Sequence, residues 1–241
     1  MRRLFPSFVL ALAFAVPAFA QDAKDNPATK VLNRDNATHQ QLLKDVQKGE
    51  GDVVFIGDSI TEGWAGTGRK TWAESFAPLK ALNLGISGDQ TGHVLWRITE
   101  GKELEPIKPK LAVIMIGTNN TRSHTAEQIA GGIKAIVAEL QKQKPDMKIL
   151  LLGVFPRADG IDPNFTVVPT DKLNKKIAAI NEIIAKLADE KKVFYKDIGA
   201  KLLNKDGGLE RKVMPDLLHL SEEGYSIWAK AIEDDVKKLL K

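Results

Sequence analysis

Residues 111–116 read Leu-Ala-Val-Ile-Met-Ile, six apolar side chains in a row, followed by Gly117-Thr118-Asn119-Asn120. A strand with one face in water alternates apolar and polar residues. A strand that is apolar throughout is covered on both faces, as in a parallel sheet flanked by helices. Short apolar runs recur at Val53–Ile56, Ala81–Leu84, Lys148–Leu152 and Val193–Tyr195. Between them the spacing turns helical near 91–100, 125–143 and 170–190, with an opening helix from Ala37 to Lys48 and a last one near 222–240. Thr170 or Asp171 can cap the helix striped by Leu173, Ile177, Ile180, Ile184 and Leu187, and Ser221 can cap the final one. Alternating strand and helix implies right-handed crossovers and one α/β domain over 37–241, doubly wound around a parallel sheet of about five strands.

The ends of the chain read differently. Arg2 and Arg3 precede an apolar run from Leu4 to Ala20 that closes on Ala18-Phe19-Ala20 before Gln21. That order predicts a secretory signal peptide over 1–20, cleaved near Ala20–Gln21, and a secreted or periplasmic product. The run is short and Pro17 interrupts its end, which argues against a membrane anchor. Residues 21–36 are polar and predict a loose lead-in. Losing Arg2 and Arg3 lowers the net charge from +4 to +2. The remaining basic residues intermix with acidic ones along helix faces, so nothing points to nucleic acid. With no cysteine, disulfides, thiolate nucleophiles and lipoprotein anchoring are excluded.

In open α/β sheets, ligands bind outside the carboxyl ends of the strands. After the first strand comes Gly57-Asp58-Ser59-Ile60-Thr61-Glu62, which places the Ser59 hydroxyl where strand turns into helix, near a helix N-terminus that favours negative charge. Alone, these residues equally suit a helix cap. They do not form the G-x-S-x-G elbow, because Thr61 stands in the second glycine's place. After the second strand, Asn83-Leu84-Gly85-Ile86-Ser87-Gly88-Asp89 offers a glycine turn whose Gly88 N–H can face an oxyanion. After the third, Asn119 can aim its amide at the same place, although asparagine also simply favours turns. Before the last helix, Pro215-Asp216-Leu217-Leu218-His219 puts a carboxylate three residues from an imidazole. On a short helical turn, Asp216 would fix the Nδ1 tautomer of His219 and leave Nε2 as base toward Ser59. Together the four segments fit one acyl-transfer site: Ser59 as nucleophile, Asp216 and His219 as its partners, and Ser59 N–H, Gly88 N–H and Asn119 as the oxyanion hole.

These residues resemble the SGNH (GDSL-type) hydrolases. Gly57-Asp58-Ser59 matches the family's first block, Gly88 its second, Gly117-Thr118-Asn119-Asn120 its third and Asp216-x-x-His219 its fifth, in family order. The wording NLGISGDQT, VLWRI, IGTNNTRSHTAEQIAGGI, LLGVFPR and DLLHLSEEGY is closest to the catalytic subunits of intracellular platelet-activating-factor acetylhydrolases. The resemblance implies a flavodoxin-like three-layer fold, hydrolysis of short acyl esters (acetyl above all) without metal or cofactor, and pairing into a homodimer. The export signal changes the context. Acetylated sugars become substrates to weigh beside lipid esters.

Other residues are open to two readings. Ile60 and Leu218 flank the nucleophile and the base, and either wall the acyl pocket or belong to the core. Arg157, in the 156–169 loop (PRADGIDPNFTVVP), either reaches the alcohol side of the substrate or lies exposed. Trp64, Trp72 and Trp96 either line a sugar cleft or pack inside. His93 and His124 lack the neighbours of a metal site. A non-catalytic binding module is the rival class, but it would be expected to have lost Ser59, Asp216 or His219. A phosphoryl-transfer role for Asp58 lacks a phosphate loop or an acidic metal cluster.

Overall fold

The computed structural model describes residues 25–48, 51–158, 167–168 and 172–241. All five apolar runs are strands of one parallel sheet. They are β1 (Val53–Gly57), β2 (Ala81–Gly85), β3 (Leu111–Met115), β4 (Lys148–Leu152) and, after a short β5 (Val167–Val168), β6 (Val193–Lys196). Their order is β2-β1-β3-β4-β6. Val53 lies opposite Ala81 on one side and Leu111 on the other, and Leu111 lies opposite Lys148.

Strand side chains alternate between two cores. Val54, Ile56, Ala112, Ile114, Ile149 and Leu151 pack against Val46 of α1 (Ala37–Val46), Val94 and Ile98 of α4 (Thr91–Ile98), Ile129 and Ile133 of α5 (Ala126–Gln143), and Ile177 and Ile180 of α6 (Lys172–Ala185). Val53, Phe55, Leu111, Val113, Leu150 and Leu152 face the other way, toward Trp64, Phe76 and the Trp228, Ile232 and Val236 stripe of α7 (Glu222–Leu239). Burying each such aliphatic side chain contributes about 1.5–3 kcal/mol. This two-sided cover is what the unbroken apolar runs require. Phe55 sits among rings, with centroids 4.8 Å from Phe76 and 4.9 Å from Trp72. Phe55→Ala would therefore open a cavity directly beneath the end of β1.

Helix ends follow their caps. Ser221 Oγ accepts from Gly224 N–H at 3.1 Å at the start of α7. Thr125 and Gln128 form a reciprocal box at the start of α5. The expected cap at Thr170 or Asp171 lies outside the described residues, as do the signal segment and most of the 156–169 loop.

Three features depart from the expectation. Residues 25–36, read as a loose lead-in, lie along the sheet's helical cover: Asn26 Nδ2 donates to Gln128 O at 2.9 Å and Leu32 N–H to Gly92 O at 3.1 Å. A polar composition misled here because hydrogen bonds from both backbone and polar side chains hold the segment, with Ala28 as its buried apolar anchor. Two short helices, α2 (Ser59–Glu62) and α3 (Arg69–Ser75), fill the β1–β2 crossover, and β5 pairs antiparallel with β7 (Leu209–Glu210). The tryptophans are structural. Trp64 is fully buried and Trp96 nearly so, while half-buried Trp72 packs edge-on against Phe55. No helix among the described residues is long and apolar enough to cross a membrane.

Candidate active site

The chain runs from β1 outward to β2 and then crosses back to β3 on the other side of β1. The crevice at this switch point lies between the carboxyl ends of β1 and β3. Ser59 follows β1, Asn119 follows β3, and the Gly88 turn follows β2.

Ser59 is the first residue of α2. Asp58 is extended before it, and its Oδ1 accepts from Ile60 N–H at 3.0 Å. The Ile60 carbonyl accepts from Tyr225 Oη at 2.7 Å, tying the nucleophile's turn to α7. A Cβ on Gly85 would lie 2.1 Å from Glu62 N, so α2 can fold down onto the end of β2 only over a glycine. α2 is a single turn. The helix dipole expected there thus reduces to individual N–H groups, among them Ser59 N–H, which donates to no other described residue.

Ser59 Oγ lies 2.8 Å from His219 Nε2, and His219 Nδ1 lies 2.6 Å from Asp216 Oδ2. The Asp216–His219 segment is not the short helical turn expected. Leu217 is left-handed at φ 61°, and Asp216 Oδ1 closes the turn by accepting from Leu218 N–H at 3.0 Å and His219 N–H at 2.7 Å. Burial pushes the Asp216 carboxyl up. The hydrogen bonds from the His219 ring and from the His219 and Leu218 N–H groups outweigh it, so the net shift is downward and the carboxylate form is favoured.

Gly88 is left-handed at φ 80° and exposed, and its N–H has no acceptor among the described residues. Asn119 Nδ2 donates to Asp89 O at 2.9 Å, so the β3 loop is fastened to the residue after Gly88. Beneath them Asp89 is fully buried, with Arg97 Nη1 2.8 Å and Arg34 Nε 2.6 Å from its carboxylate. Burial raises the Asp89 carboxyl, and Arg97 and Arg34 pull it back. Arg97 is itself fully buried, and also donates to Leu84 O at 2.6 Å and pairs with buried Glu103 at 3.1 Å. Asn120 accepts from Thr91 N–H at 3.0 Å and so joins the β3 loop to the start of α4.

A serine hydroxyl, an imidazole and a carboxylate in hydrogen-bonded succession, beside amide donors at the ends of neighbouring strands, can carry out acyl transfer. The model of the GDSL-like lipase/acylhydrolase family matches residues 55–227, from within β1 into α7. The chain belongs to this family. It is 38% identical over 225 residues to the platelet-activating factor acetylhydrolase IB subunit alpha1 of Rattus norvegicus, covering 90% of this chain and 91% of that one. Among solved structures it resembles a GDSL-like lipase from Bacteroides thetaiotaomicron (TM-score 0.60, 24% identity, 92% of this chain and 98% of that one). It also resembles an acetyl xylan esterase from Geobacillus stearothermophilus (TM-score 0.59, 22% identity, 78% and 95%). These two likenesses carry the fold. Family membership makes the protein an ester hydrolase.

The remaining candidates of this GDSL hydrolase divide. Ile60 is 1% exposed and its side chain belongs to the core, and half-buried Leu218 packs against that same core. Arg157 is neither exposed nor turned outward. It is buried beneath the β3 loop, with Nη1 3.3 Å from Thr118 Oγ1 and Nε donating to Ala158 O at 3.2 Å. His93 Nδ1 accepts from Gln90 N–H at 2.9 Å, completing the start of α4, and His124 Nδ1 lies 2.9 Å from Ser123 Oγ. Among the described residues no cluster of three or more metal-ligating side chains occurs. Sequence reasoning missed Arg34, Asp89, Arg97 and Asn120. Arg97 carried a signal, since a charged residue amid Val94, Leu95 and Ile98 on a short apolar helix has to be paired inside.

Proposed function

We propose that this GDSL hydrolase is an exported serine esterase that removes short acyl groups, acetyl foremost, through Ser59, His219 and Asp216. The observation that carries the reading is the hydrogen-bonded succession from Ser59 Oγ to His219 Nε2 at 2.8 Å and from His219 Nδ1 to Asp216 Oδ2 at 2.6 Å. His219 Nε2 takes the hydroxyl proton as Ser59 Oγ attacks the ester carbonyl. The developing oxyanion is held by Ser59 N–H, Gly88 N–H and Asn119 Nδ2. The alcohol leaves with the proton from His219, and an acyl-Ser59 ester remains. Water then gives its proton to the same nitrogen, attacks the acyl carbon and releases the acid. Asp216 keeps the His219 ring in the required tautomer and stabilises the imidazolium.

The preference for short acyl groups is supported by the relatives, one named an acetylhydrolase and another an acetyl xylan esterase. Export rests on the leader-like residues 1–20. For the alcohol, the 38% identity favours a lipid ester, and export favours an acetylated carbohydrate.

Hydrolysis of p-nitrophenyl acetate, butyrate and octanoate by the protein lacking residues 1–20 tests the reading, with Ser59→Ala beside it. Turnover that falls with acyl length and vanishes in Ser59→Ala is expected. Turnover untouched by that substitution would remove Ser59 from its role. Acetylated xylan and a 2-acetyl phospholipid, offered in parallel, then separate the two alcohols.

A further inference from the structure

The segment before the first helix passes close to the oxyanion turn and makes a defined contact with it. Thr91 Oγ1 donates to Ala28 O at 2.7 Å, and Leu32 N–H donates to Gly92 O at 3.1 Å, so residues 28–32 are laid across the start of α4. The helices are shaped to receive this strap. A Cβ on Gly92 would lie 2.2 Å from Lys30 O, and one on Gly132 would lie 2.7 Å from Ala28 O. Both obstructing atoms are backbone carbonyl oxygens of the strap, which cannot swing aside as a flexible side chain can.

Arg34 lies at the far end of this strap. Its Nη2 donates to the carbonyl of Ser87, and its Nε lies 2.6 Å from the carboxylate of Asp89. One guanidinium thus grips the residues on either side of Gly88. Gly88 itself adopts φ 80°, a conformation in which a free glycine would exchange among several backbone states. The Asp89 carbonyl in turn receives Asn119 Nδ2. Two of the three groups assigned to the oxyanion are therefore referenced to a turn that Arg34 holds from outside. A planar guanidinium suits this bridging, because its donors diverge in a fixed fork, whereas an ammonium is a point charge.

We propose that Arg34 is a positioning residue for the oxyanion hole: by bridging Ser87 and Asp89 it sets the direction of the Gly88 N–H, so the N-terminal strap is part of the catalytic apparatus. The inference rests on the acyl-transfer role proposed above for Ser59, Gly88 and Asn119. Arg34 touches no reacting atom. It acts through the turn, so its loss should weaken stabilisation of the tetrahedral intermediate and leave ground-state binding in place. A displacement of about 1 Å in a positioned group is enough to lower a rate by about 10²-fold.

The test compares Arg34→Met and Arg34→Lys with the wild type and Ser59→Ala, using p-nitrophenyl acetate and thermal unfolding. Asp89 keeps its ion pair with Arg97 in both variants. The expected result is a folded Arg34→Met enzyme whose kcat falls on the order of 10- to 100-fold while KM changes less than about threefold, the pattern of an interaction made in the transition state. Arg34→Lys, which keeps the charge and loses the fork, should recover only part of that loss. Full kcat in Arg34→Met, or full recovery in Arg34→Lys, would overturn the bridging role. So would failure of both variants to fold, because Arg34 would then serve the fold rather than the turn. Ser59→Ala separates the two levels: if it remains active, the site assignment fails, and if it is inactive while Arg34→Met is unimpaired, only the positioning role fails.

Discussion

Asp216 holds His219 twice, one carboxylate oxygen accepting from the ring at Nδ1 at 2.6 Å and the other from the same residue's backbone N–H at 2.7 Å. The ring is thereby fixed against its own main chain. In Asp216→Asn, the amide nitrogen facing the ring cannot accept from Nδ1–H, and turning the amide over gives up the backbone contact instead. The expected loss in kcat on p-nitrophenyl acetate is on the order of 10³-fold, with little change in folding. Retention of kcat within about tenfold would mean that the carboxylate does not orient the imidazole.

Asn119→Ala removes one oxyanion donor and also frees the Asp89 carbonyl that Asn119 holds at 2.9 Å. Loss of such a donor lowers kcat on the order of 10²–10³-fold. Steady-state kinetics should show this in kcat with KM nearly constant. A change confined to KM would place Asn119 in substrate binding instead.

Gly88→Ala isolates backbone conformation from space. The nearest atom to an added Cβ is Arg34 Nη2 at 3.8 Å, so nothing collides, yet φ is 80°. Holding alanine there costs about 1–2 kcal/mol. Unfolding should shift down by a few degrees, and kcat should fall as the turn relaxes toward negative φ. Undiminished kcat together with an unshifted unfolding temperature would show that neither the fold nor the oxyanion hole depends on this backbone conformation.

Asp58 carries a pH dependence of its own. Burial raises its carboxyl to about 7; the Ile60 N–H, His219 and Arg157 resist the rise, and Asp89 adds to it. The fold therefore favours the protonated acid, and this contribution is complete below pH 4. It is lost as pH climbs from 4 toward 7, while the unfolded chain ionises first. Asp58→Asn does not titrate. Wild type should therefore lose stability relative to Asp58→Asn between pH 4 and 7, with a constant gap above. Equal gaps at pH 5 and pH 8 in chemical denaturation would show that the carboxyl does not titrate near neutrality.

Much of this architecture was written locally. Leu111–Met115 had to be a doubly covered strand, Ser221 had to cap a helix, and the residues after β1, β2 and β3 fell where a doubly wound sheet gathers its ligands. What was illegible depended on contacts distant in sequence. Arg34 and Asp89 are 55 residues apart, one in the polar lead-in and the other in the glycine turn after β2, yet they meet in one ionic network with buried Arg97. Arg157 looked like a loop cation because its neighbours in sequence are polar, whereas its surroundings are Thr118 and the underside of the site. The turn at Asp216 shows the same limit on a smaller scale. A three-residue spacing permits a carboxylate–imidazole contact on more than one backbone path, and the left-handed Leu217 chose the one that periodicity does not predict.

The Ser59–His219 contact joins residues 160 apart in the chain. No fragment that ends before His219 contains both, and closing so long a span is entropically expensive and slow relative to forming local helices. Esterase activity is thus a reporter of completed assembly. During refolding it should appear after far-UV ellipticity has recovered, and a nascent chain on the ribosome would remain chemically silent until the segment carrying His219 had emerged and docked onto Ser59.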